Sequence, residues 1–377
     1  MGDVNKKVIN VIGAFDRYNY GDLLFPIILR NELGESYNYK FYSIRNYNYE
    51  GYGGVRTKSI IRLLFKLLFK RNQTVIIAGG HVIGAGWLIL FFHNWKAFRM
   101  FFEPKYRKKY DVYFNSIFNK IFRSRYPYVI SLPLQRNNQI IYSSVGGTVY
   151  SLGRKSELIK NLFGVDLFSV RSSRLYEFGV ENNINSKLVP DSAMLISNYF
   201  KKSLAENYLV FQCHNLSSEI IDVLAEQLFI IANRNVKKKI ILLPIGYANG
   251  HEDFIALQKL KSHDILCDMQ NVVYRKEMSV FGIIKIISGA ECFIGTSLHG
   301  IITSFTYNVP YLCISSSYKL KEYIKDWDLN NLDKNPFDFK FIEFYDRGPC
   351  QMVVDEVKRQ KALILDNFHE MNKLING

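Results

Sequence analysis

Short apolar runs that stop at glycine or a polar residue, each followed by a helix-like stretch, constrain this chain most. In the first half these runs are Lys7–Gly13, Thr74–Ala78, Gln139–Ser143, Asp166–Arg171 and Lys187–Val189. Such runs read as buried strands, and the helical patterns between them read as crossovers, so the expected class is α/β with mostly parallel sheet. Polar sequence around 201–207 reads as a linker, after which the pattern restarts. Strands are expected at Tyr208–Gln212, Lys239–Pro244, Asn271–Tyr274, Glu291–Ile294 and Tyr311–Ile314. Helices are expected at Ser218–Ala232, Met278–Ser288 and Val354–Leu374. A chain of 377 residues exceeds one comfortable core. The expected organisation is an N-terminal domain over 1–200, a second over 201–350 and a C-terminal helix over 351–377.

The stretch Ile294-Gly295-Thr296-Ser297-Leu298-His299-Gly300 reads as strand, glycine turn and helix start. A histidine at such a junction sits at the carboxyl edge of a sheet, where open α/β folds bind ligands, and helix N-termini attract anions. His299 is therefore placed for proton transfer beside a phosphate or carboxylate.

The formal net charge of +15 is concentrated. Between Arg56 and Tyr126 there are 15 Lys and Arg against two acids, Glu103 and Asp111, so this region reads as a basic, aromatic-rich insertion at about 56–126. Within it Ser59–Lys70 reads as a helix on which Lys58, Arg62, Lys66 and Lys70, spaced by four, form a stripe on one face, with Ile61, Leu64, Phe65, Leu68 and Phe69 largely off that stripe. Trp87–Phe92 and Trp95–Phe102 are aromatic-rich. Basic residues beside Trp, Phe and Leu suit an anionic membrane surface. An ordinary amphipathic helix packed on the domain is the competing reading. Nucleic acid is disfavoured, since no recognised nucleic-acid module accompanies the charge. No uncharged run here reaches the ~20 residues that span a bilayer. The five cysteines are scattered without C-x-x-C spacing, which argues for a reducing compartment and against structural zinc. The N-terminus lacks an apolar signal core. The expected location is cytoplasmic, peripheral on the cytoplasmic face of the inner membrane. No residue cluster demands a metal, and nothing calls for a cofactor.

The motifs fall in a recognisable order. Asn19-Tyr20-Gly21-Asp22 follows the first strand, and Gly79-Gly80 follows a later one. Ser169-Val170-Arg171 is followed by Ser173, Gly179-Val180 and Pro190-Asp191-Ser192-Ala193. Leu298-His299-Gly300 and Asn308-Val309-Pro310 close the series. In this the chain resembles the polysaccharide pyruvyl transferase family, over roughly Val8 to Ile314, the basic stretch and the tail excepted. The resemblance implies two Rossmann-like domains facing a central cleft, similar to the GT-B architecture. It also implies phosphoenolpyruvate as donor and a cyclic pyruvate ketal formed on two hydroxyls of one sugar in a bacterial surface glycan, an exopolysaccharide or lipopolysaccharide. Arg171 matches the family's V-R arginine, an expected donor contact, and His299 matches the histidine of its R-L-H motif. Asn19, Gly21 and Asp22 match its N-x-G-D loop, and Asp191 the aspartate of its D-P-A-like segment.

One position departs from the family: its arginine two residues before the histidine is Ser297 here. A guanidinium fork normally grips phosphate and carboxylate. Arg275 or Lys319 could substitute from nearby loops, or Ser297 and Thr296 could donate neutral hydrogen bonds. His299 is the expected general acid/base. Arg171, Ser297, Leu298, Asn19, Gly21, Asp22, Gly79, Gly80 and Asp191 are the expected substrate-binding or site-forming residues. Asp22 and Asp191 are equally readable as helix caps, and His81 and His214 as strand-end residues near the acceptor or the cleft. The saccharide acceptor is lipid-linked in the membrane reading. Two alternatives stand beside this one: a GT-B glycosyltransferase using a nucleotide sugar, and a catalytically degenerate glycan-binding member.

Overall fold

A computed structural model describes residues 6–95, 104–149, 152–214, 217–314, 317–327, 341–347 and 353–377. Part of the aromatic-rich stretch (96–103) and Cys350 lie outside the described residues. The chain divides into two compact units. The first comprises Met1–Tyr18, Asp22–Ser192 and Ala362–Gly377; the second comprises Asn19–Gly21 and Ala193–Lys361.

The first unit is built on β1 (Val8–Ile12), β2 (Asn38–Ser43), β3 (Tyr47–Asn48), β4 (Arg56–Ser59), β5 (Thr74–Ala78), β6 (His81–Ile83), β7 (Gln139–Gly147), β8 (Leu167–Val170) and β9 (Ser186–Leu188). Their order is β3-β4-β2-β1-β5-β7-β8-β9, with β6 on β7, and every pairing is parallel except β3 with β4. β5 (TVIIA) is buried at all five positions, as a strand covered on both faces requires. The basic stretch 56–126, expected as an insertion, supplies β4, β5 and β6 to this sheet. β5 lies between β1 and β7, so the stretch is part of the sheet's centre. Ile12 lies opposite Ile77, so the loops leaving β1 and β5 start from one sheet edge.

The second unit holds β10 (Tyr208–Gln212), β11 (Lys239–Leu242), β12 (Val272–Tyr274), β13 (Cys292–Gly295) and β14 (Tyr311–Cys313). Their order is β12-β11-β10-β13-β14, parallel throughout. Sequence order reverses between β10 and β13. In an open α/β sheet that reversal opens a crevice at the carboxyl ends of the strands. Gln212 pairs with Gly295 at that edge. Each unit has its own apolar core, one around Ile77, Tyr142 and Phe168, the other around Phe211, Leu228 and Ile294. The closing helix, Val353–Asn376, is amphipathic as expected, and its residues divide between the two units at Lys361.

Candidate functional site

The crevice of the second unit is a cavity of about 240 Å³ lined by the exits of three strands. β10 delivers Gln212 and His214. The loop after β11 delivers Ile245, Gly246, His251 and Asp253. β13 delivers Thr296, Ser297, Leu298 and His299. Ser317 and Lys319, at the start of the helix Tyr318–Trp327, complete one wall. Asn19 reaches the same cavity.

The histidine junction forms as its sequence predicts. Ser297 is the N-cap of the helix Leu298–Thr306, and its side chain accepts from the Gly300 N–H at 3.4 Å. The residue that departs from the family motif thus satisfies one of the helix's orphan donors. His299 follows in the first turn and is 6% exposed. Of the two cations considered as replacements for the missing arginine, Lys319 lines the cavity, and Arg275 is an exposed residue after β12. Burial pushes the His214 imidazole below its usual range, with Lys319 adding to the effect and Glu252 opposing it.

The N-x-G-D loop meets this site through three residues. Tyr20 N–H donates to Ile245 O at 3.0 Å, Asn19 bridges to Gly246, and the Tyr20 hydroxyl lies 2.8 Å from Thr303 Oγ1. Gly21 lies directly against the imidazole: a Cβ there would stand 1.9 Å from His299 Nδ1. The glycine of the first motif therefore leaves room for the histidine of the last.

The remaining expected residues belong to the first unit. The helix that holds Asp22 begins at Tyr20 rather than Leu23, so Asp22 sits inside its first turn instead of capping it. Asp22 pairs with Arg17 at 3.3 Å. Gly79 and Gly80, leaving β5, have φ of +55° and +73°, a left-handed turn that glycine adopts without a side-chain penalty. A Cβ on Gly80 would lie 3.1 Å from Asp22 Oδ1. Arg171 directly follows β8. Its side chain is only 3% exposed, and its guanidinium pairs with the fully buried Asp191. Two residues expected to bind ligand are thus bound to each other. His81 opens β6, with Nε2 at 3.1 Å from Thr148 Oγ1.

Two buried carboxylates escaped the sequence reading. Asp253 carries the hydrogen bonds that join three of the cavity's segments. Its Oδ2 accepts from Gln212 Nε2 at 2.9 Å, Ile245 N–H at 3.1 Å and Gly246 N–H at 2.9 Å. Gln212 Oε1 in turn accepts from the Thr296 N–H at 3.0 Å. Asp16, in the loop after β1, accepts from the Arg45 N–H at 2.8 Å. Burial pushes Asp16 up to about 6, against the lowering effects of Arg45 and Arg17, and Asp253 up to about 7. In sequence Asp253 looks like any acid in a first helical turn, and Asp16 like a loop residue. Among the described residues no group of three or more His, Cys, Asp or Glu side chains forms a metal cage.

The sequence profile of the family described as polysaccharide pyruvyl transferase matches residues 19–318. No curated protein sequence is significantly similar to the chain. Among solved structures, a UDP-GlcNAc 2-epimerase from Methanocaldococcus jannaschii, in complex with UDP-GlcNAc and UDP, is similar over 96% of this chain and 99% of its own, at 11% identity and a TM-score of 0.52. A putative UDP-N-acetylglucosamine 2-epimerase from Listeria monocytogenes is similar over 97% of each chain, at 10% identity and a TM-score of 0.49. At such identities the likeness is one of fold, that of the GT-B-like α/β proteins. The profile match spans most of the chain and takes in Asn19, Gly21, Arg171 and His299; the chain belongs to the polysaccharide pyruvyl transferase family and is a transferase with a pyruvyl-transfer role in polysaccharide synthesis.

Proposed function

We propose that the donor is phosphoenolpyruvate, that it binds the cavity of the second unit, and that its pyruvyl group becomes a ketal on two hydroxyls of one acceptor sugar. One observation carries this reading: the N-terminus of the helix Leu298–Thr306, with His299 in its first turn, opens on the same cavity as Lys319 and His214. A helix N-terminus and a lysine suit a small, multiply charged anion, and an imidazole beside them suits proton transfer. Lys319 supplies the positive charge that Ser297 does not. Ser297 and Thr296 add hydroxyls at the same wall. His299 is the acid/base in this reading.

The test is calorimetric titration with phosphoenolpyruvate and with a panel of nucleotide sugars. Turnover is followed by release of inorganic phosphate and by NMR of the ketal methyl group. Binding of a nucleotide sugar with no response to phosphoenolpyruvate would overturn the donor assignment in favour of glycosyl transfer.

The acceptor in this reading is a lipid-linked saccharide met at an anionic membrane surface. Support comes from the basic stretch. The helix Ile60–Phe69 leaves Phe65, Leu68 and Phe69 exposed beside Arg62 and Lys70. The helix Pro104–Phe122 leaves Val112, Tyr113, Ile117 and Ile121 exposed beside Lys109 and Lys120. Among the described residues no helix is long and apolar enough to cross a membrane.

A further inference from the structure

We infer that Asp253 is a second proton-transfer residue of the cavity, anchored through Oδ2 and presenting Oδ1 to the bound ligand. The inference rests on the cavity being the donor seat. All three hydrogen bonds that the described residues make to this carboxylate converge on Oδ2, from Gln212 Nε2 and the N–H groups of Ile245 and Gly246. The residue is 4% exposed and lines the cavity. A carboxyl with one oxygen occupied by donors carries its proton on the other. Burial raises the group from 3.8 to about 7, so both of its forms are accessible near neutral pH.

Several titratable and charged groups share its surroundings. Cys213, at the exit of β10, is close enough for the carboxylate to act on it; His214 and His251 line the same cavity, and Glu252 precedes Asp253 in the chain. His299 and Lys319 come from the helices Leu298–Thr306 and Tyr318–Trp327. Cys213 is buried and pushed far above its usual range, with Asp253 adding to the effect, so it stays a thiol.

Ketal formation needs two such groups. The methylene carbon of phosphoenolpyruvate must gain a proton while two hydroxyls each lose one. In this assignment Asp253 starts protonated and gives its proton to the methylene carbon, leaving a cationic centre at C2. The first sugar hydroxyl forms a C–O bond to C2 and loses its proton to neutral His299. The second hydroxyl forms the other C–O bond as the C–O bond to phosphate breaks, and its proton returns to the Asp253 carboxylate. The His299 imidazolium protonates the departing phosphate. Both residues end as they began, and the products are the ketal and inorganic phosphate.

Asp253→Asn is the discriminating variant, because its amide oxygen can keep all three anchoring hydrogen bonds while the side chain no longer titrates. The expected result is a folded protein that binds phosphoenolpyruvate within about threefold of wild type and turns over ~10²–10³ times more slowly. The neutral limb of its pH–rate profile should be absent, and Asp253→Glu should recover part of the rate. Turnover of Asp253→Asn within about threefold of wild type, on an unchanged pH profile, would overturn the inference. A second measurement needs no donor. Carbon NMR of ¹³C-carboxyl-labelled aspartate, assigned with Asp253→Asn, should give a midpoint near 7 in the ligand-free protein. A midpoint below about 5, in the ordinary carboxyl range, would overturn it as well. If wild type fails to bind phosphoenolpyruvate, the donor reading falls, and the NMR titration still decides whether Asp253 is the titrating group.

Discussion

His299 and Gly21 come from opposite ends of the family pattern and touch. Any side chain at position 21 would occupy the space of the imidazole, with a Cβ 1.9 Å from Nδ1. Gly21→Ala must therefore displace the ring. A shift of about 1 Å at a reacting group costs on the order of 10² in rate. Gly21→Ala should thus fall toward His299→Gln, which is expected to be ~10²–10⁴ slower than wild type. Steady-state turnover of the two variants checks this; a Gly21→Ala enzyme at wild-type rate would mean the ring position is not critical. Arg171 behaves differently. Its charge is buried and paired with Asp191, so Arg171→Ala removes the guanidinium of a buried ion pair. The expected loss of stability is about 3–5 kcal/mol, read from denaturant unfolding. A loss under about 1 kcal/mol would show that Asp191 finds another way to be neutralised. Any effect of this variant on donor affinity has to be measured on the fraction that remains folded. The sequence made His299 legible because strand, glycine and helix signals surround it. It could not reveal the Gln212–Asp253–Thr296 connection, since those residues are far apart in the chain and meet only when β10 pairs with both β11 and β13.

The helix Ile60–Phe69 shows how far a periodic pattern carries and where it stops. The helix forms where the spacing predicts it, but the four cations do not share one face of it. Lys58 lies in β4, Lys70 lies just past the last turn, and Lys66 is half-buried and donates to Asn10 Oδ1 at 3.3 Å. Ile60, Leu63, Leu64 and Leu67 face the core, while Phe69 is 84% exposed and Phe65 and Leu68 are also outside. Phe65 meets Phe122 edge-on at 5.3 Å, which joins this surface to the helix Pro104–Phe122. The balance therefore moves from charge toward apolar insertion. Full burial of one Phe or Leu contributes about 1.5–3 kcal/mol, against ~1 kcal/mol for each Lys or Arg near an anionic surface. Replacing Phe65, Leu68 and Phe69 by Ser should abolish co-sedimentation with anionic vesicles at every salt concentration. Replacing Arg62 and Lys70 by Gln should weaken it mainly at low salt, where screening is least. Failure of the wild type to sediment even at low salt would remove the membrane reading. Among the strands, β5 and β10 were legible to the residue because they are continuous apolar runs. β2 was not, because NYKFYS carries polar residues at its exposed end and buries only its last three positions. Pairing with β1 makes it a strand, and local propensity alone did not signal it.

At the scale of the molecule, each unit has its own core and, among the described residues, each holds one carboxyl displaced upward by burial. Asp16 in the first unit is pushed up to about 6, and Asp253 in the second to about 7, from an ordinary 3.8. The folded protein therefore holds these two protons over a pH range in which the unfolded chain has released them. Stability from this source is complete below about pH 4 and is lost as pH rises through 6 for Asp16 and through 7 for Asp253. Glu356 and Asp366 act in the opposite sense. Arg359 and Lys187 hold them below their usual range, so their contribution is lost only as pH falls into the acid region. Between pH 5 and 8 His214 opposes them, since its lowered imidazole adds stability as pH rises through its ordinary range, but two carboxyls outweigh one imidazole, and each carboxyl costs up to ~1.4 kcal/mol per pH unit while it is protonated only in the folded state. Thermal unfolding of the wild type should thus shift to lower temperature from pH 5 to pH 8. Asp16→Asn and Asp253→Asn should each flatten that slope, and the double variant should flatten it most, because an amide has no proton to lose. Melting curves at four pH values across this range, for all four proteins, decide the matter. If Asp253→Asn melts with the wild-type pH slope, the Asp253 carboxyl is ionised in the folded state throughout, and its burial is offset by the three donors on Oδ2.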